Sequence, residues 1–189
     1  MADGSSAVKS YDLRMNYKIG ITESPFTFKQ QIQDYDASRW ELNITTVPLY
    51  GDDALNFRGF LQSLRGRLGM FYFPIPQTLN NDYRHVTNKV AGEDHVVLNP
   101  ASQSPSHDFI RGTYFSVSNR LYMALEDYVS NTAPLNITPK LRTSTLAGSV
   151  VYTQNPIGTF RLSTNDAGYG VDVTEGHSIT IACEEALMD

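Results

Sequence analysis

The side chains in this sequence that could do chemistry are few: four histidines, one cysteine and some adjacent carboxylates. His85, His95, His107 and His177 show no metal-ligand spacing, and no two of them fall at i and i+4 of an expected helix. No metal site is expected. Cys183 lies in the alternating run SITIACEEA and reads as a buried strand cysteine rather than a nucleophile or ligand. Carboxylates adjoin or approach each other at Asp52 with Asp53, Asp166 with Asp172, and Glu184 with Glu185. Paired carboxylates can hydrolyse glycosides. These pairs occupy a helix cap, turns and a position near the chain end, where a structural or solvated role is expected. GxSxG, HExxH and a phosphate loop ending in Gly-Lys-Ser/Thr do not occur. The expectation is a protein that is not an enzyme, with no catalytic, cofactor-binding or metal residues and no cofactor.

Two other groups of side chains suit binding. Tyr114, Tyr122, Tyr128, Tyr152 and Tyr169 could form a face for sugar stacking or for a partner, or they could edge a core. Arg58, Arg65 and Arg67 lie within FRGFLQSLRGRLGMFYFP, Phe57 to Pro74, among bulky apolar groups and without a phosphate cradle. Two readings stay open for them. They are solvated arginines where a helix end packs on a strand, or they join aromatic neighbours such as Tyr72 in a subunit interface, where both residue types are enriched.

The elements that must position these groups are mostly strands. SPFTFKQ sets Phe26 and Phe28 on one face, and RWELNIT alternates Trp40, Leu42 and Ile44 with polar residues, so both read as half-buried strands. The turn formers Asp34, Asp36 and Ser38 between them suggest a hairpin. One helix is expected at about 52–65. Gly51, Asp52 and Asp53 offer capping chemistry and negative charge at its start, and Phe57, Phe60, Leu61 and Leu64 form a single apolar stripe. Arg65 suits the last turn, Gly66 the stop, and after Gly69 the run MFYF reads as a short buried strand.

The text turns polar and turn-rich from Asn80 to His107, which marks a candidate boundary. Beyond it GTYFSV, LYMALE, LNIT, SVVYTQ, GTFRL, YGVDV and SITIAC follow at close spacing, as in an antiparallel barrel or sandwich. At 189 residues with 41% hydrophobic content, the chain can bury a substantial core in one large or two small domains. Its formal charge of −5 is spread along the chain, which disfavours electrostatic binding to nucleic acid. No apolar run suits a signal peptide or a membrane span, and the single cysteine has no partner for an intrachain disulfide, so a reduced, cytoplasmically made, soluble protein is expected.

The order of these features resembles one family. A strand with Trp40, then Val-Pro-Leu at 47–49, an acidic-capped helix ending in Phe-Leu-x-x-Leu-Arg-Gly-Arg-x-Gly at 60–69, and an aromatic strand with Pro is similar to the distal tail and minor tail proteins of siphophages. GTYFSV, ITPKLR, NPIGTFRL and the closing ACEEAL extend the resemblance over most of the chain. The resemblance implies a mostly β fold: an antiparallel β-sandwich with one flanking α-helix plus a small inserted β-barrel of the oligonucleotide/oligosaccharide-binding type. It assigns 1–80 and 157–189 to the sandwich and 81–156 to the inserted domain. It further implies a structural virion protein at the distal end of the tail, a homo-oligomer forming a hexameric ring between the tail tube protein and the tail-tip or hub proteins. DNA would pass only in transit through the lumen, with no membrane insertion. Another minor tail or tail tube protein is the nearest alternative; a carbohydrate-binding module for host surface glycan is an alternative of a different class.

Overall fold

The computed structural model of the chain describes residues 8–77, 83–85, 87–100, 109–128, 133–166 and 178–187. In chain order its elements are β1 (Val8–Glu23), β2 (Gln30–Thr46), α1 (Gly51–Ser63), β3 (Phe71–Pro74), β4 (Tyr83–His85), β5 (His95–Val96), β6 (Leu98–Pro100), β7 (Tyr114–Val117), β8 (Arg120–Ala124), β9 (Leu135–Thr138), β10 (Val150–Val151), β11 (Ile157–Leu162) and β12 (Thr180–Glu185). The fold is mostly β with antiparallel pairing and, among the described residues, one helix. The chain divides into two compact units, Met1–Met70 with Phe160–Asp189, and Phe71–Thr159.

In the first unit β2 is the organising strand. Its inner half alternates buried Trp40, Leu42 and Ile44 with half-buried Glu41, Asn43 and Thr45, as expected of a strand with one face on a core. β1 pairs with β2 along its whole length, from Val8 opposite Thr46 to Glu23 opposite Gln30. On the other side β12 accompanies β2 only between Glu41 and Thr45, and β11 pairs with β12 from Phe160 to Leu162. Beyond Trp40, therefore, β1 and β2 continue as a ribbon of two strands among the described residues.

This hairpin differs from the one expected. Phe26 and Phe28 are not in a strand but in the turn at its tip, closed by Ser24 N–H to the Lys29 carbonyl at 3.0 Å. The segment holding Asp34, Asp36 and Ser38 is a β-bulge inside β2 rather than a turn. Tyr17 faces Ser38 and Ile19 faces Asp34, so two extra residues are absorbed there, with Asp36 at φ 53°. Asp34 caps the bulge by accepting the Asp36 N–H at 2.8 Å, so the turn chemistry of these residues acts within the strand.

The helix buries Leu61 and Leu64, with Ala54 and Phe57 half-buried on the same side. Those four follow i, i+3, i+7, i+10, so the true stripe runs through Ala54 and not through Phe60. Phe60 sits on the flank, 38% exposed, its ring tilted against Phe57 at 6.0 Å between centroids. The expected cap is also corrected: Tyr50 is the N-cap and makes no side-chain bond to the helix, leaving Asp52 and Asp53 to act through their charge in the first turn. Arg65 falls outside the helix, which carries no basic residue in its last turn.

The second unit has two small sheets, with strand orders β10-β4-β6 and β5-β9-β8-β7. An antiparallel bridge between Ser116 and Tyr152 links segments of the two. Among the described residues no sheet closes into the expected barrel, because β5 and β10 are only two residues long and leave most of their edges unpaired. The core gathers Tyr83, Val96, Leu98, Phe109, Phe115, Val117, Tyr122, Leu135, Ile137, Leu141 and Val151. Edge-to-face contacts of Phe109 with Tyr83 and with Phe115, at 4.9 and 5.3 Å, order its aromatic centre. β3 is half-buried rather than buried: Phe73 points in while Tyr72 is exposed. YGVDV lies outside the described residues.

Candidate subunit interface

Cys183, Glu184 and Glu185 are built into the sheet. Cys183 is buried in β12, and burial pushes its thiol up to about 12, far from a reactive thiolate. Glu184 and Glu185 are both buried. Glu185 accepts the Trp40 N–H at 3.1 Å, and Glu184 is held by Arg39 at 2.7 Å and by Arg67. Glu184 faces Glu41 across the β2–β12 ladder, a like-charge pair whose repulsion the arginines offset. Arg14 reaches Glu41 at 3.0 Å and the Asn16 amide donates to it at 2.6 Å. The Asn16 bond, then Arg14 and Arg39, hold the Glu41 carboxyl below its ordinary range. Among the described residues no cluster of histidine, cysteine and carboxylate is arranged to hold a metal ion, and no helix is long and apolar enough to cross a membrane.

The tyrosines form no common platform. Tyr122 is fully buried and its hydroxyl accepts the Arg142 N–H; Tyr128 packs on the core. Tyr152 is exposed, Tyr114 is half-buried, and Tyr169 lies outside the described residues.

The three arginines of the opening stretch have different surroundings. The segment after α1 folds into a tight knuckle, closed by Gly69 N–H to the Leu64 carbonyl at 2.7 Å. Gly69 allows this approach, since a Cβ there would lie 2.6 Å from the Leu64 backbone. Gly66, at φ 67°, has room for no Cβ either, because Asn165 Cα would be 2.9 Å away. Arg67 pairs with Glu184, and its N–H lies on Asn165 Oδ1 at 3.3 Å, so it braces the fold while its side chain stays 49% exposed. Arg65, at φ 51°, and Leu68, 68% exposed, are presented outward beside it. Arg58 is exposed on the helix, and Tyr72 is exposed in the second unit.

An exposed apolar face on the β1–β2 hairpin was not anticipated from the sequence. Leu13 faces Leu42, Met15 faces Trp40 and Tyr17 faces Ser38, so odd residues of β1 share the core side of the sheet. Across the bulge that parity is kept, because an even number of residues is inserted. Ile19 opposite Asp34 and Ile21 opposite Ile32 therefore continue the core face into the two-stranded ribbon, where no second layer covers them among the described residues. Ile21 and Ile32 are each 63% exposed, and Phe26 and Phe28 at the tip are 92% and 74% exposed. The reverse face is polar, with Thr22 opposite Gln31 and the Tyr35 ring lying over Gly20. The signal was present as apolar residues at 13, 15, 17, 19 and 21.

Compared with known proteins, the chain matches no family model and no curated protein sequence.

Proposed function

We propose that the chain is a structural virion protein of a long-tailed phage, a distal tail protein whose copies close into a ring joining the tail tube to the tail tip. The observation that carries this reading is the β1–β2 arm. From Ile19 to Glu23 it extends roughly 15 Å, at about 3.3 Å per residue, with one exposed apolar face. A two-stranded ribbon alone in water is marginally stable, and an uncovered apolar face invites association. An arm of this kind makes physical sense in an assembly, where neighbouring copies pair its edges and cover its face. The order of sequence motifs points to the same class.

In this reading the ring is a homo-oligomer, hexameric by resemblance, with heterologous contacts that close by rotation. The net charge of −5 suits a conduit, since an acidic protein offers DNA no binding by counterion release. Negative-stain electron microscopy with solution mass tests the reading: closed rings with a central hole are expected. Long filaments would indicate a tube protein instead, and a sugar-binding monomer would favour the glycan-binding alternative.

A further inference from the structure

We infer that the arm of one copy docks its acidic, apolar face on the Arg65–Leu68 knuckle of a second copy. This inference rests on the ring reading and names the two surfaces that meet.

Three observations carry it. The first is charge. The arm face that holds Ile19, Ile21 and Ile32 also holds Asp34, opposite Ile19, and Glu23, at the tip end opposite Gln30. The knuckle offers the complement, an exposed cation at Arg65 beside the exposed Leu68. Its other arginine, Arg67, pairs with Glu184 but is still 49% exposed, and it adds to the positive charge of Arg65.

The second is rigidity. The knuckle is fixed at both glycines and through Arg67, and the Asp34 cap sets the bulge from which the arm departs. A preformed knuckle loses little conformational entropy when it is covered, while the arm orders as it docks. The third is symmetry. The surfaces are different parts of the same unit, so a one-way contact of arm on knuckle can propagate head to tail, as a ring requires. A self-complementary dimer contact would not.

The test is charge exchange at exposed positions, read as the concentration for half-assembly in sedimentation velocity. Glu23→Lys combined with Asp34→Asn removes the arm's negative charge, while the side-chain amide oxygen introduced by the second change can still accept the Asp36 N–H. Arg65→Glu reverses the knuckle. Each change alone is expected to raise the half-assembly concentration at least about tenfold, with an unchanged thermal midpoint. Combining Glu23→Lys with Arg65→Glu should recover most of the loss. Wild-type rings together with unaffected or unrescued variants would overturn the docking and leave the ring reading standing. A wild-type chain that stays monomeric at every concentration would overturn both.

Discussion

Two hairpins in this molecule are built to opposite specifications. The β7–β8 hairpin is short, turns through Ser118 and Asn119 at φ 51° and 58°, and buries Phe115, Val117, Leu121 and Tyr122. Its turn has the left-handed residues that match strand twist, and its apolar groups belong to a closed core. The β1–β2 hairpin is several times longer, turns through exposed phenylalanines and carries its apolar face into water. The first is stabilised by its own chain. The second, on the reading proposed above, is covered by another copy.

The largest effect should come from breaking the covered hairpin. Phe115→Ala removes a fully buried ring from the aromatic centre and should cost about 3–5 kcal/mol, seen as a lower midpoint in chemical denaturation. Within the helix the same contrast appears on a smaller scale. Leu61→Ala, at 2% exposure, should cost about 2–5 kcal/mol, whereas Phe60→Ala on the flank should cost clearly less. Equal losses would restore Phe60 to the stripe.

A third prediction concerns acid. His85 is 2% exposed, neither ring nitrogen has a hydrogen-bond partner among the described residues, and burial, then Lys89, lowers its pKa. Below about pH 6.5 the unfolded chain takes up a proton that the folded chain refuses. Stability contributed by the neutral histidine is therefore full above that pH, falls as the pH drops toward the folded value, and is level beneath it. His85→Leu should flatten this part of the profile of thermal midpoint against pH; an unchanged slope would place the titration elsewhere.

The smallest effect on folding should come from the arm. Ile21→Ser with Ile32→Ser should move monomer stability by no more than about 0.5 kcal/mol per site, because both side chains are already in water. The same variant should lose assembly. A large fall in monomer stability would mean that the arm is covered within its own chain.

Much of the fold was legible in the sequence. LNIT at 135–138, GTYFSV, LYMALE and GTFRL all contain strands, and Gly51 to Ser63 is the one helix, because short alternating or periodic runs bounded by Gly, Asn and Pro leave little choice. Cys183 is the buried strand cysteine its neighbours suggested. The interface was harder to read. Phe26 and Phe28 alternate like a strand yet form a tip, because Ser24 and Pro25 start a turn there and Phe28 takes φ 53°. Asp34 and Asp36 look like a turn because a bulge uses the same side-chain bond to a nearby N–H. Arg65 and Arg67 are two positions apart in one short motif, and only the approach of Glu184 from the far end of the chain, which pairs with Arg67, distinguishes them.

Hydrogen exchange read by mass spectrometry at high and low protein concentration tests the central claim most directly, because it compares both hairpins in one sample. The account predicts that amides of 17–34 are protected at high concentration and exchange rapidly on dilution, while those of 114–124 stay protected throughout. Slow exchange of the arm in dilute monomer would contradict it, for the ribbon would then be stabilised without a second copy.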